Sequence, residues 1–266
     1  CEGMRRERPD LPVIMMTGQD TTVNRLRSEG FGASAFIAKP FPLNRFRDMV
    51  AAMLRERQCS ESRANAPRIL MYSHDTIGLG HMRRNSAIAA RIVEQNPRAS
   101  VLMLVGSPSG IPFALPSGVD YVKLPSLTKV GRALWRPQSL RVSPSDIISL
   151  SAALIEQAAL SFEPNLFLVD HEPSGVSDEL IPTLERLRAE RTEIVLGLRD
   201  ILDEPKVTLQ NWEARGTNEV VKRLYDRIFV YGDESVFASR RVYDLERLKP
   251  RNVSSCGYVT SVDGTR

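Results

Sequence analysis

The feature that most constrains this chain is a repeated alternation of short apolar runs with amphipathic stretches. Strands are expected at 68–73, 101–105, 121–124, 166–170, 193–198 and 227–231, and helices at 82–95, 145–161, 178–191 and 213–224. Uninterrupted apolar runs suit strands buried on both faces. Strands that alternate with helices imply an α/β fold, a parallel sheet with helices on both faces.

A shorter stretch of the same kind comes first. Residues 11–17 and 33–38 read as strands, 21–29 as a helix ended by Gly30, and 42–56 as a second helix with Leu43, Phe46, Met49, Val50 and Met53 on one face. Residues 58–66 are polar, lack a hydrophobic period and lead into Pro67, as an interdomain linker would. The expected organisation is a small unit at 1–57, the linker, and a larger domain at 67–260, with 261–266 beginning a further crossing. The chain opens on Cys1 with no initiator Met, as a piece cut from a longer protein would.

Composition narrows the function classes. The net charge of +4 is mild, and acidic residues are interspersed throughout. It allows a phosphate-bearing partner or peripheral contact with an anionic membrane. No basic-aromatic array points to nucleic acid. No apolar run approaches the roughly 18 residues that span a bilayer, and no signal-peptide core opens the chain. The three cysteines (Cys1, Cys59, Cys256) form no Cys-x-x-Cys pair, so no zinc ribbon is expected and a reducing cytoplasm fits.

The main chemical signal follows the strand at 68–73. His74-Asp75-Thr76-Ile77-Gly78-Leu79-Gly80-His81-Met82-Arg83-Arg84 is a glycine loop that opens a helix. Gly78 and Gly80 let backbone turn tightly near a ligand. The helix start offers unpaired amides, and Arg83 and Arg84 add positive charge. Arg83 occupies the third glycine position of the dinucleotide fingerprint, so that motif fails. An imidazole can take a proton from a hydroxyl at neutral pH, which makes His81 the candidate base and His74 the reserve. The competing reading has His81 cap the helix or bond backbone. Later strands end in Asp170-His171-Glu172, Arg199-Asp200 and Tyr231-Gly232-Asp233-Glu234. In parallel sheets, ligands gather at such carboxyl ends. Each cluster taken singly reads as a turn or cap; together they define one rim.

Two resemblances add to this reading. The run Leu-Pro-Val-Ile-Met-Met-Thr at 11–17, Gly30-Phe31-Gly32-Ala33 and Lys39-Pro40-Phe41 resembles the second half of a response-regulator receiver, a flavodoxin-like unit. The resemblance implies that Thr17 is a switch hydroxyl, that Lys39 pairs with an aspartyl phosphate, and that the Lys39–Pro40 bond is cis. A histidine kinase partner and a magnesium ion belong only to a complete receiver; the phosphoacceptor half lies outside this chain.

The combination Gly-Leu-Gly-His-x-Arg-Arg, Val-Asp-x-x-Pro-x-Gly, Leu-Arg-Asp-Ile-Leu-Asp and Tyr-Asp-x-Ile-x-Val-Tyr-Gly resembles predicted bacterial glycosyltransferases of the GT-B type. It spans almost all of 67–260. It implies a Rossmann-like domain, the N-terminal, acceptor-side half of that fold, with His81 as catalytic base. Gly78, Gly80, Arg83, Arg84, His74, Asp170, His171, Glu172, Arg199 and Asp200 would surround the acceptor. The implied reaction moves a sugar from a nucleotide-sugar donor to a hydroxyl acceptor without a cofactor. No Asp-x-Asp triplet suggests a bound metal. Gly257-Tyr258-Val259 would lead into the donor-binding half, without which this piece is expected to be inactive. A GT-B epimerase or hydrolase, and a receiver-linked sugar-binding signalling protein without activity, remain alternatives.

Overall fold

A computed structural model describes residues 13–18, 33–52, 66–73, 79–108, 110–112, 114–131 and 134–260. The expected helix at 21–29, the linker at 58–65, Met53, His74 and Gly78 lie outside the described residues. The chain divides into two compact units, Cys1–Asn65 and Ala66–Arg266.

In the smaller unit, β1 (Ile14–Thr17) pairs in parallel with β2 (Ala35–Ala38), register Thr17 to Ala38. Thr17 ends β1 half-buried, and Lys39 follows β2, exposed. The Lys39 amide donates to the Thr17 carbonyl at 2.6 Å, and the Lys39–Pro40 peptide is cis. Residues 43–52 are helical. Phe46, Met49 and Val50 are half-buried as the pattern predicts, and Phe46 stacks on Phe41. Leu43 departs from it and is 79% exposed, because it opens the helix ahead of the turn that packs.

The larger unit is built on seven parallel strands: β3 (Arg68–Ser73), β4 (Ser100–Val105), β5 (Val119–Lys123), β8 (Leu166–Asp170), β9 (Glu193–Arg199), β10 (Arg227–Tyr231) and β11 (Val253–Ser255). Their order across the sheet is β11-β10-β9-β8-β3-β4-β5. The chain builds outward from β3 through β4 to β5, then returns to lay β8 on the other side of β3. This is the Rossmann-like order. Between β5 and β8 an antiparallel hairpin, β6 (Leu127–Gly131) with β7 (Leu134–Pro137), stands apart from the sheet; the apolar pattern gave no sign of it.

Strand periodicity sorts the core. Leu70, Tyr72, Phe167, Val169, Leu196 and Leu198 face one side, while Ile69, Met71, Leu168 and Val195 face the other. The first face is covered by α2 (Pro144–Phe162), α3 (Ile181–Ala189) and α5 (Thr217–Leu224), through Ile155, Leu184, Leu187, Val221 and Leu224. The second is covered by α1 (Gly80–Gln95), through Met82, Ala89 and Val93. Each fully buried aliphatic side chain of this kind contributes about 1.5–3 kcal/mol of burial free energy.

Local signals set several ends. Ser143 and Asp146 cap α2 reciprocally and Pro144 takes its first turn, so the helix begins just before the apolar period suggests. The helix expected at 213–224 begins only at Thr217, as α5, after Gly216 turns left-handed, and α4 (Pro205–Ala214), ahead of it, had no counterpart in the sequence reading. The helix expected from 178 starts as a 3-10 turn at Val176–Asp178 and becomes α3 only at Ile181. Two short helices, α6 (Ser239–Val242) and α7 (Leu245–Leu248), precede β11.

Candidate functional site

The strand order reverses at the junction of β3 and β8, the place in a parallel sheet where ligands gather. Their last residues, Ser73 and Asp170, are register partners at its carboxyl end. Helix α1 opens near this point, and its early residues His81, Arg84 and Asn85 share one face at spacings of three and four.

All three converge on Asp170, whose side chain is fully buried. His81 Nδ1 lies 2.8 Å from Oδ2. Arg84 Nη2 donates to Oδ1 at 2.7 Å and to Oδ2 at 2.9 Å, and Asn85 Nδ2 donates to Oδ2 at 3.0 Å. Arg84 Nη2 is also 2.8 Å from His81 Nδ1. One imidazole nitrogen cannot both donate to the carboxylate and accept from the guanidinium. A bare Nδ1 lone pair facing a carboxylate oxygen at 2.8 Å would be repulsive, so the assigned tautomer carries its proton on Nδ1, which donates a hydrogen bond to Asp170 Oδ2. Nε2 is left as an acceptor, with no hydrogen-bond partner among the described residues. The His81 side chain is 23% exposed, so the ring is reachable from solvent while its orientation is held from below.

Burial works to raise the Asp170 carboxyl. The His81 hydrogen bond and the Arg84 charge outweigh it and leave the carboxyl below its ordinary range. Asp170 is therefore a buried anion held by Arg84, His81 and Asn85. The expectation that Arg84 adds positive charge to the loop is thus joined by a bond to Asp170 that the sequence did not indicate. Arg83, one position earlier, is exposed on α1.

A second layer completes the floor. The Arg84 guanidinium lies over the Tyr231 ring, 5.1 Å from its centroid. Tyr231 packs against Gly197, where any side chain would overlap its ring and hydroxyl. Burial, then the Asp170 carboxylate, push the Tyr231 phenol up. The His171 ring packs 5.1 Å from that of His81. Burial first, then neighbouring His81, Arg199 and Arg84, push His171 down to about 4, so it stands neutral near pH 7.

The remaining expected residues divide. Glu172 is half-buried beside His171. Gly80 is the first residue of α1 and would meet nothing with an added Cβ, so its place does not depend on lacking a side chain. Arg199 is exposed and donates to the Leu202 carbonyl at 2.6 Å. Asp200 accepts from the Ile201 amide at 2.9 Å and from the Tyr258 hydroxyl at 3.0 Å. Arg199 and Asp200 thus brace their own loop and are not joined to His81 by any hydrogen bond among the described residues. Asn85 belongs to the cluster although no motif marks it as a partner of Asp170, and Tyr231, from the third strand-end group, joins it through its ring beneath Arg84. Asn85 stands four residues after His81, a spacing that could have placed it there.

No family model matches this sequence, and neither does any curated protein. Solved structures do show likeness. A UGT transferase from Siraitia grosvenorii in complex with UDP matches at 11% identity and a TM-score of 0.44, over 71% of this chain and 50% of that one. Anabaena Alr3699/HepE in complex with UDP-glucose matches at 13% identity and 0.43, over 72% and 43%. A Listeria monocytogenes protein, provisionally named UDP-N-acetylglucosamine 2-epimerase, matches at 9% identity and 0.43, over 71% and 44%. The chain spans half or less of the length of each. At these values the site's own geometry has to carry any functional reading.

Among the described residues no cluster of histidine, cysteine or carboxylate side chains could hold a metal ion, and no helix is long and apolar enough to cross a membrane.

Proposed function

We propose that this chain is the acceptor-side half of a GT-B glycosyltransferase, and that His81 is its general base. One observation supports this above the others. A partly exposed imidazole sits where the strand order reverses, with Nδ1 pinned to a buried carboxylate and Nε2 open. That pairing fixes the tautomer and the ring orientation. It also speaks against His81 as a mere helix cap, since α1 has no side-chain cap.

In the proposed reaction an acceptor hydroxyl approaches Nε2. His81 takes the proton as the hydroxyl oxygen bonds to the anomeric carbon of a nucleotide-sugar, and the bond from that carbon to the diphosphate oxygen breaks. The nucleoside diphosphate leaves with the electron pair, and the proton passes from His81 to solvent. Asp170 stays ionised and balances the imidazolium. Donor binding is assigned to a second domain, so transfer is expected from the full-length protein. Thr17 and Lys39, on neighbouring strand ends, are assigned to a receiver-type regulatory segment.

The test is sugar transfer by the full-length protein with His81→Ala and His81→Gln. General-base loss costs about 10²–10⁴-fold, with folding unchanged. Transfer by His81→Ala at the wild-type rate with saturating acceptor would remove His81 from the chemistry. Product analysis with water as sole acceptor separates transfer from hydrolysis or epimerisation.

A further inference from the structure

Between the tip of β8 and the start of α3, residues 171–180 follow an unusual path. His171, Ser177 and Asp178 all have positive φ, at 71°, 48° and 66°. Such conformations are avoided by residues with a side chain and persist only where surrounding structure enforces them. Gly175, at φ 71°, lets the backbone pass close to the pair described next. A Cβ there would lie 2.8 Å from Leu180, 3.0 Å from Glu179 and 3.3 Å from the Tyr72 hydroxyl.

Two tyrosines tether the segment. The Tyr225 hydroxyl donates to the Pro173 carbonyl at 2.5 Å. The Tyr72 hydroxyl, one residue before the end of β3, donates to Glu179 Oε1 at 2.5 Å, and the Val176 amide reaches the same oxygen at 3.4 Å. Glu179 is 6% exposed and Tyr72 1%. They line a cavity of about 10 Å³ with Leu124, Leu127, Ser151 and Val176, space for about one water. No lysine or arginine lines it. From β3 only the Tyr72 phenol faces the carboxyl, with Glu172 acting on that phenol. Helix α2 presents Ser151, and the β5–β6 connection presents apolar side chains.

We propose that Tyr72 and Glu179 form a proton-dependent latch that pins residues 171–180, and with them His171 and Glu172, to the end of β3. With its proton in place the Glu179 carboxyl is neutral and suits a cavity that no lysine or arginine lines. Without it a buried carboxylate has only the Tyr72 hydroxyl, the Val176 amide and space for about one water, with no cation lining its cavity, and the strained segment gains by opening. Burial raises the Glu179 carboxyl to about 7, against the opposing Tyr72 and Val176 hydrogen bonds. In the open segment it returns to its ordinary range near 4.5. The closed form therefore binds more protons, and opening becomes easier as pH rises between these values.

The experiment is native-state hydrogen exchange on the whole chain, following the amides of Gly175 and Leu180, which donate to Glu172 and Ser174 carbonyls. After correction for intrinsic exchange, their protection is expected to fall by up to about tenfold per pH unit from 4.5 towards 7 and to level off above. In Glu179→Gln, which keeps an acceptor for Tyr72 and cannot ionise, the slope should vanish and protection stay high. The same slope in the variant as in the wild type would overturn the latch. Should the variant not fold, the ¹³C shift of the Glu179 carboxyl in the wild-type chain decides: a midpoint near 7 supports the latch, and one near 4.5 overturns it. Neither measurement involves sugar transfer, so the latch and the transferase reading stand or fall separately.

Discussion

Asp170 shows how much of this site depends on one side chain. It accepts from His81, Arg84 and Asn85 while wholly buried. Loss of its charge would leave Arg84 without a counter-ion under the surface. Breaking such a buried pair costs about 3–5 kcal/mol, so Asp170→Asn is expected to lower the urea midpoint markedly and to cut transfer about 10²-fold or more through misorientation of His81. His81→Ala should cut transfer with little change in stability, because the ring is partly exposed. Urea unfolding beside rate measurement separates the two; equal stability loss in both variants would mean that His81 is chiefly a structural partner. The sequence already showed His81, Arg84 and Asp170 as unusual residues at element ends. It did not show that Arg84 serves Asp170, because that pairing spans two elements far apart in the chain.

At the scale of elements, the site rests on strands β8, β9 and β10 taken together. Tyr231 leans from β10 across Gly197 of β9 to support Arg84 from α1. Gly197→Ala puts a methyl group where the Tyr231 ring lies, and a rigid ring in a packed site cannot yield without moving Arg84. Overpacking of this kind costs about 1–3 kcal/mol. The variant should be less stable and should alter the NMR signals of His81, while Tyr231→Leu in the same background should restore part of the stability. No recovery would show that Gly197 is needed for another reason. Apolar runs located β3, β4, β8, β9 and β10 because each is buried on both faces. The β6–β7 hairpin and the three-residue β11 lacked that signal: the first stands outside the sheet and the second is a short edge.

For the whole molecule, two buried carboxyls give opposite pH dependences. Asp170 is held below its ordinary range, so the folded state keeps it ionised. Its stabilisation is present above the ordinary carboxylate range and is lost as pH falls through the depressed value. Glu179 is raised to about 7; its contribution is full below about 4.5 and is lost as pH rises through about 7. Stability of the larger unit should therefore peak in mildly acidic solution. Trp135 and Trp212 both belong to that unit, so their fluorescence in urea titrations carried from about pH 9 down through and below the ordinary carboxylate range measures it. Glu179→Gln should remove the decline towards neutral pH, and Asp170→Asn should flatten the acid limb. A profile unchanged in both variants would place the titrating groups elsewhere.

Local chemistry in the sequence determined the strand–helix alternation, the parallel sheet and a histidine presented at the start of a helix, because burial on two faces, helical period and glycine punctuation are all properties of neighbouring residues. The same chemistry left open whether that histidine capped its helix or faced a partner. Only the tertiary structure decided that β8 lies against β3, and this single adjacency brings Asp170 under His81 and Glu179 against Tyr72. Strand order is set by how the faces of all the helices can be buried at once, a condition that no local window of residues contains.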